Sequence, residues 1–215
     1  SLLTSGISVM TRDGKEFSGT VQLVNPAAHV RKDIPDVKRD DTSMEVVIDE
    51  KVSTKEETGA LGIGAGDFII LDPRTVLTEK GFIKSRHLDD KASSGLLLAL
   101  ARCVKEEKLQ SKLKRNVWLL FTMYEEVGHG GAAGYPEGIS TRLIELAKKA
   151  GLQYAVDIYP YYGSDADVAL ASGHDFKHGL IGPGVAASHG YERTHKEGLL
   201  NTLLLLREYI TSDVL

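Results

Sequence analysis

The chain of 215 residues has a single cysteine, Cys103, so no disulfide scaffold holds it together and a reducing cytoplasm is its expected location. No apolar run approaches the ~20 residues that a membrane helix needs, and the opening residues carry no secretory signal pattern, so no membrane partner is expected. A basic block is missing as well. With 26 Lys and Arg against 30 Asp and Glu, and a pI near 6.0, nucleic acid is not an expected partner. There is no internal repeat and no low-complexity stretch. What is present, 42% hydrophobic and 26% charged residues, is ordinary for a globular chain and excludes wholesale disorder. At ~150 residues per domain, the length allows one large domain or two small ones.

The two parts of the chain read differently. Residues 1–80 read as a small β-rich module. Ile7 and Val9 alternate with polar residues, Arg12-Asp13-Gly14 supplies a turn, and Val21 and Leu23 alternate again, as in a hairpin. Ala27 to Thr42 reads as an exposed loop, and Met44 to Ile48 and Phe68 to Leu71 as strands. Ser53 with Glu56 forms a capping-box pattern for a short helix that Gly59 would end. From residue 81 to 215 the pattern is α/β. Phe82 to Ser85 is a strand candidate, Gly95 to Val104 a helix capped by Ser93 or Ser94, and Val117 to Met123 a strand buried on both faces. Arg142 to Ala150 reads as a helix stopped by Gly151, Tyr154 to Ile158 and Leu180-Ile181 as short strands, and Glu197 to Ile210 as a terminal helix. Such alternation implies a mostly parallel sheet with helices on both faces.

Three clusters could carry chemistry. Tyr124-Glu125-Glu126-Val127-Gly128 follows the apolar run directly, where ligands of α/β sheets bind. Two adjacent carboxylates repel each other and resist burial unless a cation offsets them, so one can hold metal while its neighbour handles protons. An ordinary solvated loop is the plainer explanation. His87-Leu88-Asp89-Asp90-Lys91 is a second acidic pair at a strand-to-helix junction. A single Asp there is commonly just a cap, but two such junctions favour a hard cation. Ser188-His189-Gly190-Tyr191-Glu192-Arg193-Thr194-His195 offers two histidines, either of which could supply imidazole to a metal or simply sit at the surface. Asp165, in the Gly163 to Asp167 turn, suits a helix cap or a group behind a ligand.

Other chemistries find less support. Gly128-His129-Gly130-Gly131-Ala132-Ala133 satisfies the dinucleotide pattern G-x-G-x-x-A, yet Glu125 and Glu126 would confront the pyrophosphate. Gly62-Ile63-Gly64-Ala65-Gly66 leads into a strand and lacks the helix N-terminus that holds phosphate. No G-x-S-x-G elbow occurs, and Cys103 lies in a leucine-rich helix, so serine and cysteine nucleophiles are unsupported.

In this order, the stretches HLDDKASSG (His87 to Gly95), FTMYEEVGHGG (Phe121 to Gly131), YGSDA (Tyr162 to Ala166) and IGPGVAASHGYERTH (Ile181 to His195) resemble the dinuclear metallo-aminopeptidases of the glutamyl-aminopeptidase and tetrahedral-aminopeptidase family, metallopeptidase family forty-two. The resemblance spans essentially the whole chain. It implies a zinc-peptidase-like α/β catalytic domain at residues 81–215, apparently incomplete, and a small inserted oligomerisation domain at residues 1–80. It implies a metal-dependent aminopeptidase acting on peptides with two divalent ions (Zn, Co or Mn), built as a homo-oligomer in which dimers form a dodecamer. Carried over by motif, Asp89 resembles the carboxylate bridging the metals, with Asp90 the alternative one register away. Glu125 looks like the general base, and Glu126 and His195 look like ligands to one metal each. Rival readings are a related dinuclear deacylase or carboxypeptidase, a nucleotide-binding oxidoreductase using Gly128 to Ala133, and a metal-less homologue keeping assembly contacts alone.

The chain departs from the family twice. The family opens with a catalytic segment bearing a histidine ligand, whereas Ser1 already lies within what resembles the insert. It also carries a strand ending in an aspartate ligand, whereas Gly138-Ile139-Ser140 here runs straight into Thr141-Arg142-Leu143. The expectation is that the chain is part of a longer polypeptide and that its metal sites are empty or poorly filled. A genuine truncation is the alternative.

Overall fold

The computed structural model describes residues 5–40, 42–121, 137–156, 164–173 and 177–213. They form two compact units, Ser1–Arg74 and Thr75–Leu215. The division falls before the pair of short strands that opens the second unit.

The first unit is an antiparallel sheet in the order β3-β2-β1-β4, with β1 at Ser5–Met10, β2 at Glu16–Leu23, β3 at Met44–Ile48 and β4 at Phe68–Leu71. The alternation seen in the sequence gives it a core. Ile7, Val9, Val21 and Leu23 are buried, and Phe17, Met44, Ile48, Ile63 and Leu71 pack against that cluster. Gly14, at φ +85°, closes the hairpin turn by donating to the Thr11 carbonyl. The loop before β3 is largely exposed and contains a short 3₁₀ turn at Ile34–Asp36 with no buried residue.

The capping box lies one residue beyond the expected place. Thr54, not Ser53, caps helix α1 (Lys55–Ala60): its hydroxyl accepts from the Glu57 N–H, and the Glu57 carboxylate accepts from the Thr54 N–H at 3.1 Å and the Ser53 N–H at 2.7 Å. Those backbone donors hold the Glu57 carboxyl below its ordinary value of 4.5. A depressed folded-state value means that this support is present at neutral pH and is lost as pH falls through it. Thr54→Ala is expected to destabilise this unit by about 1 kcal/mol, read as a lower urea midpoint with an unchanged slope.

The second unit holds strands β5 (Val76–Leu77), β6 (Phe82–Ser85) and β7 (Glu192–His195), paired antiparallel in that order. Its helices are α2 (Leu88–Glu106), α3 (Glu137–Lys149), α4 (Asp165–Ala171) and α5 (Lys196–Thr211). Helices α2 and α3 both pack on α5. Leu96 and Leu100 of α2, Ile139, Leu143, Leu146 and Ala147 of α3, and Ile210 of α5 are buried, at the spacings that line one helix face. Arg115 closes the C-terminal end of α5, donating to the Tyr209 carbonyl at 2.6 Å and the Ser212 carbonyl at 2.8 Å. Among the described residues, no helix is long and apolar enough to cross a membrane.

Two expectations are corrected. The sheets are mixed with helices as expected, but every strand pair among the described residues is antiparallel, not parallel. The turn from β5 to β6 is too short for a parallel crossover, which needs a dozen or more residues. The second correction concerns the supposed sheet strands. Val117 to Phe121, Tyr154 to Val156 and Leu180-Ile181 form no strand. A strand buried on both faces needs a neighbour on each side for its backbone groups, and among the described residues these segments have none. Trp118, 90% exposed, and Leu120, 78% exposed, lie open as a result. Residues 122–136, including the rest of that run, lie outside the described residues. The Gly138 to Leu143 junction, where a strand was missed, falls inside the continuous helix α3.

Candidate active site

The β6–β7 ladder brings two of the three clusters together. Its register sets Ser85 opposite Glu192 and Phe82 opposite His195. One end therefore leads from Ser85 through His87 into Asp89 at the start of α2, beside the loop of Ser188 to Glu192. The other end carries His195 next to the β5–β6 turn.

At the first end, Asp89 Oδ2 accepts the Ser188 hydroxyl at 2.6 Å. Asp90 points to solvent and is exposed, so Asp89 is the member of the pair turned toward the other cluster. The backbone here departs from a regular helix, with Asp89 at φ −87°, ψ 105° and a cis peptide joining Asp89 to Asp90. Neither Ser93 nor Ser94 caps α2, and His87, at φ +63°, makes no side-chain cap. The leading amides are instead met by Glu192, a buried carboxylate that sequence reasoning passed over. Glu192 Oε2 accepts from the Leu88 N–H and from the Asp89 N–H at 3.1 Å, and Oε1 accepts from the His189 N–H at 3.1 Å. The one available signal was alternation: in Glu192–His195 the residues Glu192 and Thr194 turn inward while Arg193 turns out, its guanidinium 3.9 Å from the Phe82 ring centroid.

At the second end, Gly81 at φ +83° turns the chain so that the Lys80 carbonyl meets His195 Nε2 at 2.8 Å. That bond gives Nε2 the proton and leaves Nδ1 as the acceptor, which takes the Glu197 N–H at 3.2 Å and caps α5. The His195 ring lies edge-on to Phe82, 4.7 Å between centroids.

Asp89 is thus presented as a ligand would be, but His195 is not. Both of its ring nitrogens are engaged, and it stands three residues along the ladder from Glu192, about 10 Å at ~3.4 Å per residue. Among the described residues, no group of three or more His, Cys, Asp or Glu side chains could hold a metal ion. The described residues do not by themselves compose a metal centre. Glu125 and Glu126 lie outside them, as do Gly128 to Ala133 and Tyr162-Gly163; Asp165 is the first residue of α4.

The M42 glutamyl aminopeptidase family matches the chain over residues 1–141 and 133–205. The two stretches overlap at residues 133–141, around the junction inside α3. A protein of Bacillus subtilis (strain 168), YhfE, provisionally named an aminopeptidase, is 40% identical over 243 aligned positions, covering 96% of this chain and 70% of its own length. That alignment is longer than this chain, so YhfE carries residues with no counterpart here. Among solved structures, the TET aminopeptidase of the marine-sediment archaeon Thaumarchaeota archaeon SCGC AB-539-E09 shares the fold at a TM-score of 0.75 and 14% identity, over 100% of this chain and 72% of that one. Aminopeptidase APDkam598 of the archaeon Desulfurococcus kamchatkensis does so at 0.69 and 20%, over 99% and 70%. The PhTET1-12s dodecamer does so at 0.72 and 17%, over 98% and 72%. The chain therefore belongs to the M42 glutamyl aminopeptidase family and is a peptide hydrolase of aminopeptidase type.

Proposed function

We propose that this aminopeptidase releases N-terminal residues from peptides in a metal-dependent reaction, with Glu125 as general base and Asp89, Glu126 and His195 as ligands to divalent ions of zinc, cobalt or manganese. The observation that carries the reading is Asp89, a carboxylate fixed at a strand-to-helix junction by the Ser188 hydroxyl from the cluster that also bears His195. Asp89 Oδ2 is oriented by that bond, as the carboxylates of working sites commonly are. For His195 to join Asp89 at one centre, its ring has to release the Lys80 carbonyl or the Glu197 N–H and move along the ladder. Glu125, beside Glu126, is placed by the motif to take a proton from water and return it to the leaving amine.

The reading extends to assembly. Residues 1–80 would supply contacts for a homo-oligomer of dimers building into a dodecamer. The dodecameric neighbour supports this. The single cysteine supports a cytoplasmic location.

Peptides of one sequence with a free or an acetylated amino terminus test the substrate terminus, with products followed by mass spectrometry. Release of the first residue from the free peptide alone is expected. Release of the last residue, or of the acetyl group, would turn the assignment to a carboxypeptidase or a deacylase.

A further inference from the structure

Glu192 is the largest fully buried side chain among the described residues, at 1% exposure. A carboxylate in such a place is strongly disfavoured unless donors surround it. We propose that Glu192 is a positioning residue for Asp89, acting as a clamp between the start of α2 and the Ser188-His189 loop. This rests on the reading of Asp89 as a metal ligand.

The geometry supports a clamp over a packing role. A leucine would fill the space, but only an acceptor collects amides from two segments separated by about a hundred residues. Oε2 takes the adjacent N–H groups of Leu88 and Asp89, and Oε1 takes that of His189. Leu88 and Asp89 precede the regular part of α2, since Asp89 and Asp90 have non-helical dihedral angles, and His189 lies in a loop, so a buried acceptor supplies the partner these backbone donors need. The circuit then closes through side chains, because Ser188, next to His189, bonds Asp89 Oδ2. Glu192 holds the backbone of Asp89, and the loop that Glu192 also holds orients its carboxylate.

The test uses the full chain stripped with a chelator and titrated with Co²⁺ alone, by calorimetry and by visible absorption, alongside amide hydrogen exchange. Glu192→Gln keeps the shape but offers one acceptor oxygen where two were used, so at least one of the three amides loses its partner. Co²⁺ binding about 10–100-fold weaker, with a changed absorption band and faster exchange at Leu88, Asp89 or His189, is expected. Equal affinity and an identical band in wild type and Glu192→Gln would overturn the clamp while leaving the metal reading intact. If the wild type binds no Co²⁺, the metal reading falls; exchange at the three amides then judges the clamp, unchanged rates sinking it and faster rates upholding it. Should Glu192→Gln not fold, Ser188→Ala interrupts the same circuit at an exposed hydroxyl. A weaker, spectrally altered Co²⁺ complex supports the proposal, and an unaltered one counts against it.

Discussion

Glu125→Gln lowers the release of N-terminal residues by about 10²–10⁴-fold, the loss expected when a general base becomes an amide that cannot take up a proton. The replacement changes charge and proton affinity with little change of size, so the metal, peptide and fold are left nearly as they were. The loss falls on kcat, with KM and Co²⁺ affinity close to wild type. Glu126→Gln separates the neighbouring roles, since removing a ligand weakens Co²⁺ binding first and activity as a consequence. Steady-state rates on a chromogenic amino-acid anilide, measured beside a Co²⁺ titration, distinguish the two. Undiminished kcat in Glu125→Gln would take the base role away from that residue.

Removing divalent ions with a chelator abolishes hydrolysis, and adding back zinc, cobalt or manganese restores it. Metal ions of this type supply several kcal/mol toward the transition state, and each ~1.4 kcal/mol is a factor of ten in rate, so the drop is at least about 10³-fold. Dialysis against chelator followed by single-metal reconstitution measures it, and circular dichroism on the same samples reports whether the fold survives. Undiminished hydrolysis in chelator would exclude metal dependence.

Much of the first unit was legible in the sequence because its strands alternate cleanly. Ile7, Val9, Val21 and Leu23 define a face with period two, and Met44–Ile48 and Phe68–Leu71 begin and end where the pattern does. The capping box was found but set one residue early, since Ser53-Glu56 and Thr54-Glu57 satisfy the same spacing and only geometry separates them. In the second unit the bodies of α2, α3 and α5 were legible from their apolar period, but α2 and α3 begin before the expected Gly95 and Arg142, and α4 was read only as a turn. The sheet was not legible. A continuous apolar run such as Val117 to Phe121 announces burial without naming its neighbours, and pairing is a property of two segments. Strand Glu192–His195 escaped because Glu-Arg-Thr-His reads as a polar loop until the partner Phe82–Ser85 is known.

The same limit divides the site. Asp89 was singled out from its position at a junction, and the structure places it beside Ser188, whereas Glu125 and Glu126 lie outside the described residues. The buried carboxylate that holds the Asp89 backbone was not, because an inward-facing glutamate is recognisable only from the amides around it. His195 was named for its imidazole, and the ladder register shows that imidazole employed as a helix cap.

The contact between Glu192 and the start of α2 joins residues 104 apart in the chain. Helices α2 and α5 form from local contacts within microseconds, but closing so long a loop is entropically slow and comes after most of the local order is in place. Asp89 is therefore expected to reach its place beside Ser188 late in folding. A partly folded chain with its full complement of helices would still lack the carboxylate in place.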